Sequence, residues 1–133
     1  MIDPFIEIVF GLVNFLFSIS LISALIYIVS LLLQAVISQI LLPRLGQDGQ
    51  VHGRVAAFEI MTTTDAIRSR IRDNKTNMIK SDMQTGAKFG MTTLDTSLTN
   101  LFKQGLIAYE ELITKSQDPD SVVTKLREEG YGS

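Results

Sequence analysis

IVFGLVNFLFSISLISALIYIVSLLLQAVISQILLP, residues 8–43, runs for 36 residues without an Asp, Glu, Lys or Arg. The hydrocarbon core of a bilayer, roughly 30 Å thick, needs about 20 apolar residues in a helix. Ile8 to Leu33 alone supplies 26. Val, Ile, Leu and Phe recur on every side of that helix rather than along one stripe, which makes lipid its simplest solvent. The competing arrangement, a buried helix or strand pair of a soluble assembly, is disfavoured by length, because soluble helices seldom run beyond about 20 residues without a charge.

Working outward, Asp3 and Pro4 give the helix its start. Asp3 is a natural N-cap whose charge suits the helix N-terminus, and Pro4 fits the first turn, where its missing N–H costs nothing. A secretory signal would need a basic start and a shorter apolar centre, so residues 1–33 read as a membrane anchor. Arg44 and Arg54 follow the segment and no basic residue precedes it. That asymmetry orients the body toward the cytoplasm, as a single-pass protein of the cytoplasmic membrane. Gly11, Asn14 and Ser18 share one narrow face that could pack against another helix, although such residues are tolerated anywhere in a membrane helix and no G-x-x-x-G is present.

The whole chain has 133 residues and a net charge of −2. Behind the apolar run, residues 44–88 hold eight basic and five acidic residues, and residues 89–133 hold four and seven. So mild a split is two faces of a folded domain rather than a nucleic-acid footprint. With no Cys and one His, His52, there is no disulfide framework, no thiolate zinc site, no thiol nucleophile and no histidine metal site. The chain contains no G-x-x-x-x-G-K-[ST], no H-E-x-x-H and no G-x-S-x-G. No catalytic, cofactor-binding or metal-binding residue is therefore assigned.

The fold expected is mainly α: one long N-terminal apolar helix, a small β-hairpin and a multi-helix C-terminal subdomain. The divisions fall at 1–33, 34–61 (a helix and the hairpin), 62–128 (helical) and 129–133 (a frayed tail). Residues 34–39 read as a short amphipathic helix ended by Pro43. Val55 to Met61 reads as a strand paired with Ile40 to Arg44 across a long loop that carries His52. Thr62 to Asp65 supply N-cap chemistry for a helix from about Ala66 to Asp73, with Ile67 and Ile71 inward. Lys75 to Thr85 reads as the next helix, with Met78, Ile79 and Met83 inward and Gly86 ending it through a positive φ. Thr92 or Thr93 starts a third helix, closed by Gly105, and further helices follow from Ala108 and from Asp118-Pro119. The pairs Glu110-Glu111 and Glu128-Glu129 read as solvated surface.

Arg68, Arg70 and Arg72 form the sharpest polar feature. Three guanidiniums within five residues can grip carboxylates on a partner or a phosphate. A solvated helix face, with ion pairs worth under about 1 kcal/mol each, accounts for the spacing equally well.

In order along the chain stand Leu33-Gln34-Ala35-Val36-Ile37-Ser38-Gln39, Leu41-Leu42-Pro43-Arg44 and Gly53-Arg54-Val55-Ala56-Ala57-Phe58-Glu59-Ile60-Met61. Then come Ala66-Ile67-Arg68 with Ile71-Arg72, Gln84-Thr85-Gly86, Gly90-Met91-Thr92-Thr93-Leu94-Asp95, Gln104-Gly105-Leu106-Ile107 and Asp118-Pro119. Together they resemble the C-terminal part of the type IV pilus retraction (twitching motility) ATPases, within the type II/IV secretion ATPase family; the N-terminal segment does not match. The resemblance implies hexameric cytoplasmic motors with a RecA-like core, using ATP and magnesium in complete members. It also implies a retraction and partner-contact role for Ala66, Ile67, Arg68, Ile71 and Arg72. Arg70 departs from the family pattern, which has an apolar residue there, and Phe89 stands where a histidine is common.

The family's phosphate-binding loop lies upstream of the matched region, so this chain is expected to be a noncatalytic fragment with no cofactor of its own. Its expected partners are full-length motor subunits or pilus inner-membrane components, with the membrane and without nucleic acid. Two alternatives stand beside it: a nonfunctional remnant of a truncated or frameshifted ATPase gene, and a membrane-anchored adaptor or nucleic-acid-binding protein.

Overall fold

In the computed structural model, which describes residues 3–131, the mainly α architecture is as expected. Helix α1 covers Pro4–Leu32, strands β1 and β2 cover Ala35–Leu45 and Val51–Thr62, and α2 covers Asp65–Arg72. After a 3₁₀ turn at Thr76–Met78 come α3 (Ile79–Gln84), a second 3₁₀ turn at Ala87–Phe89, α4 (Leu94–Lys103), α5 (Tyr109–Lys115) and α6 (Pro119–Glu128). These elements form two compact units, one of residues up to Gln34 with Thr63–Ile79, the other of Ala35–Thr62 with residues from Lys80 onward.

The first unit is built on α1. The Asp3 carboxylate accepts from the Phe5 N–H at 3.0 Å, and Pro4 occupies the first turn. At about 1.5 Å per residue the 29 residues reach about 44 Å, long and apolar enough to cross a membrane. Its apolar side chains are exposed on all sides, among them Phe10, Phe17, Ile22 and Leu25. Near its C-terminus Ser30 is buried, its hydroxyl donating to the Tyr27 carbonyl at 2.6 Å. The Thr63 hydroxyl bonds the Leu33 carbonyl, and the Thr63 N–H bonds Gln34 O at 2.9 Å.

The second unit contains the hairpin, and here one expectation is corrected. Residues 34–39 are not helical: β1 starts at Ala35 and pairs with β2 in antiparallel register from Ala35↔Thr62 through Ile40↔Ala57 to Pro43↔Arg54. The β-branched Val36, Ile37 and Ile40 suit this pleat, and cross-strand partners some twenty residues away override a local helical spacing. Pro43 lies within the strand, where the register shifts between Pro43 and Leu45. The turn is consequently short, and His52 belongs to the start of β2, exposed as expected.

One hairpin face packs on the helices. Leu42, Ala57, Leu98, Ile107, Leu112, Val122 and Leu126 form the buried cluster, with Ile40, Val55, Leu94 and Phe102 against it. On β2 Ala57 is buried and Val55 half-buried, while Phe58 is exposed. The outer edge of β2 is also occupied. Ile60 exchanges backbone hydrogen bonds with Thr92 at 2.8 and 2.9 Å, and the Phe58 N–H donates to the Ser97 hydroxyl at 3.0 Å.

Three details differ around α3. The expected single helix from Lys75 is split, with a 3₁₀ turn preceding α3, and Met78 is exposed while Met83 is buried. Gly86 has φ −90°, so positive φ is not its reason for being glycine. A Cβ there would meet Met91 Sδ at 2.6 Å and the Asp82 carbonyl at 3.0 Å; the requirement is space. Positive φ is needed instead at Gly90 (81°). Where a frayed tail is expected, Glu129 pairs with Lys103 and the Tyr131 N–H donates to Leu126 O at 2.8 Å. Gly132 and Ser133 lie outside the described residues.

Candidate partner-contact site

Helix α2 carries all five residues of the expected contact motif. The chain turns into helix there because the Thr64 hydroxyl accepts from the Ile67 N–H (3.4 Å) and Asp65 places its charge in the first turn, complementing the helix dipole. At the other end Asn74 takes a left-handed φ of 54°, and the Lys75 N–H closes back onto the Arg70 carbonyl at 2.8 Å. Arg70 and Arg72 sit in the last turn, where cations are favoured.

The five residues do not form one open surface. Ile67 is fully buried and Ile71 half-buried, as their spacing of four predicts. Arg68 is committed within its own unit: its Nη1 donates to the Ser30 carbonyl at 2.8 Å and to the Leu31 carbonyl at 2.7 Å. Those oxygens belong to the last turn of α1, where backbone acceptors have no helical partner and carry the negative end of the helix dipole. Ala66 and Arg72 remain exposed. The Arg72 side chain is 46% accessible, with Nε 3.6 Å from the Asp73 carboxylate, which also takes the Ser69 hydroxyl at 3.0 Å.

The second unit holds a cleft of about 330 Å³ whose lining includes Lys80, Thr93, Asp95, Thr99, Asp118 and Lys125. Its carboxylates are spent on structure. Asp95 accepts from the backbone N–H groups of Gln117 (2.7 Å) and Asp118 (3.0 Å), and Asp118 in turn caps α6 through the Ser121 N–H (3.2 Å). Glu59 does the same for α4, accepting from the Leu94 N–H at 3.0 Å. Sequence reasoning assigned Asp95 and Glu59 no task; the capping of Asp118 was legible in the Asp-Pro pair, whereas carboxylates that reach distant backbone leave no local signal.

Elsewhere, exposed His52 meets the Asp48 carboxylate at 2.8 Å. That hydrogen bond, with one from the Gln50 N–H, holds the Asp48 carboxyl below its ordinary range. Glu110 is exposed as expected, but Glu111 is half-buried, with Oε2 shielded and unbonded. Among the described residues no three His, Cys, Asp or Glu side chains come together as a metal site.

No protein-family model matches the sequence. The C-terminal portion of the chain is similar to the C-terminal part of known pilus motors. It is 47% identical over 90 residues to a twitching motility protein of Neisseria gonorrhoeae, covering 68% of this chain and 23% of that one. It is 45% identical over 89 residues to the type IV pilus retraction ATPase PilT of Pseudomonas aeruginosa, covering 67% and 24%. The chain thus spans about a quarter of the length of the curated relatives it matches. A crystal structure of the pilus retraction motor PilT with bound ADP superposes with a TM-score of 0.60 at 37% identity, over 74% of this chain and 26% of that one.

Proposed function

We propose that this chain is a noncatalytic, membrane-anchored derivative of the C-terminal part of a type IV pilus retraction ATPase. It acts by contact with full-length motor subunits or with pilus components of the inner membrane. The observation that carries the reading is the 45–47% identity to retraction motors over just under a quarter of their length, in a chain without a phosphate-binding loop. The similarity to relatives named as ATPases supports nucleotide and metal chemistry in a complete motor; this sequence contains no G-x-x-x-x-G-K-[ST] loop. An apolar α1 of 29 residues supports single-pass anchoring, and Arg44 and Arg54 behind it support a cytoplasmic body.

Within the motif, roles divide by placement. Ile67 holds α2 in its unit, Arg68 ties α2 to the end of α1, and Ala66 and Arg72 are left as the surface a motor subunit can meet. The full chain, purified in detergent, should turn over no ATP and should co-purify with a full-length retraction ATPase, less so as Ala66→Glu. ATP turnover free of contaminating motor, or association with neither the motor nor the pilus components of the inner membrane, would overturn the proposal. Alkaline extraction of membranes tests the anchor separately, and a chain released by alkali is not anchored by α1.

A further inference from the structure

The contact between Arg68 and the end of α1 fixes where the other basic residues of this unit lie. Residues 65–75 contain Arg68, Arg70, Arg72 and Lys75 against Asp65 and Asp73. Arg68 reaches the last-turn carbonyls of α1 at 2.7–2.8 Å, so α2 abuts the terminus of the apolar helix. Arg72 follows one helical turn later, about 6 Å along α2, and Lys75 follows the left-handed turn at Asn74. Arg72 and Lys75 therefore lie on the segment that Arg68 fastens to the end of the apolar helix. Arg72 and Lys75 are exposed.

We propose that α2 and Lys75 form a collar for anionic phospholipid headgroups at the membrane surface where α1 emerges. The proposal rests on the reading of α1 as a membrane anchor. Exposed basic residues on a segment fastened to the cytoplasmic end of a spanning helix are the composition that attracts acidic headgroups. A guanidinium presents paired N–H donors to a phosphate diester, and an ammonium supplies a point charge beside it. Arg68 neutralises the negative end of the α1 dipole, which would otherwise repel such headgroups. Asp73 lies loosely against Arg72, at 3.6 Å, and offsets part of its charge without covering it.

The full chain is reconstituted into phosphatidylcholine vesicles and titrated with spin-labelled phosphatidylglycerol or spin-labelled phosphatidylcholine; the motionally restricted fraction of each gives their relative association. The wild type should prefer the anionic lipid, and the double variant R72Q/K75Q should lose about five-fold of that preference per charge removed, the factor equivalent to about 1 kcal/mol for each basic residue at an anionic surface. Restriction of phosphatidylcholine should not change. Equal association of both lipids with the embedded wild type, or a preference unaltered in R72Q/K75Q, overturns the collar while leaving the anchor intact. A preference abolished by millimolar glycerol phosphate at constant ionic strength also overturns it, because the site would then take soluble phosphate. Release of the chain by alkaline extraction overturns the anchor reading and the collar with it.

Discussion

Arg68 Nη1 lies 2.8 Å from the carbonyl oxygen of Ser30, joining the motif helix α2 to the last turn of α1. The same nitrogen also reaches Leu31 O, so one side chain satisfies two acceptors that the helix leaves open. The partly buried charge-assisted bond to Ser30 O contributes about 1.5–3 kcal/mol, and the exposed one to Leu31 O less. Arg68→Ala should therefore loosen α2 from α1. Amide exchange measured on the full chain in nanodiscs should accelerate at least about ten-fold for Ile67 and Ile71, equivalent to about 1.4 kcal/mol. Arg68→Lys, with a compact ammonium in place of the fork, should restore only part of the protection. Unchanged exchange in Arg68→Ala would mean that the pairing contributes nothing.

Asp95 organises the other unit in a comparable way. From the first turn of α4 it accepts two backbone N–H groups of the segment entering α6, at Gln117 and Asp118. Asp95→Ala leaves both exposed donors to water and should cost about 0.5–1.5 kcal/mol. Urea unfolding of the detergent-solubilised chain, followed by tyrosine fluorescence, should show a lower midpoint with an unchanged slope. Asp95→Asn keeps one acceptor oxygen and should lose less.

These relationships mark the limit of what the sequence discloses. The starts of α1, α4 and α6 are legible because a cap is local: Asp3 before Pro4, Thr93 before Leu94, Asp118 before Pro119. The inward pair Ile67 and Ile71 is legible for the same reason, since a spacing of four is set by the helix itself. Residues 34–39 misled because their apolar and polar residues fit a helix as well as a strand, and the deciding partners, Phe58 to Thr62, come later in the chain. Arg68 was singled out as a contact residue, yet its partners are backbone carbonyls 37 and 38 positions away in a segment with no charged side chain to announce them. Of the site, then, the residue types were legible and their commitments were not.

Gly86 separates steric need from conformational need. Its φ of −90° is open to any residue, so Gly86→Ala carries no backbone strain, but the added methyl would meet Met91 Sδ at 2.6 Å and the Asp82 carbonyl at 3.0 Å. Met91 is buried and its thioether is flexible, whereas the carbonyl belongs to the last turn of α3 and yields less readily. Overpacking of this kind costs about 1–3 kcal/mol. The variant should lower the urea midpoint, and shortening the neighbour in Gly86→Ala/Met91→Ala should give a non-additive result that recovers part of the clash. Wild-type stability in Gly86→Ala would show that both neighbours move freely.

The C-terminal end supplies a pH dependence whose direction follows from Glu129. Its carboxyl is held below the ordinary glutamate value by the hydrogen bond from Lys103 first, and then by the charges of Lys103 and Lys125. A carboxyl lowered in the folded state contributes its stability above the unfolded value and loses it as pH falls through the lowered one. The Lys103–Glu129 pair should therefore hold through neutral pH and open only below the usual glutamate range. Lys103 also lies over the Tyr131 ring, 5.7 Å from its centroid, so opening the pair should release that ring. Tyr131 ring resonances in the full chain should keep their folded shifts from neutral pH down to that range and move toward random-coil positions below it. In Lys103→Gln the same resonances should stand near random coil already at pH 7, and a native Tyr131 environment in that variant would place its anchoring on the Leu126 carbonyl alone.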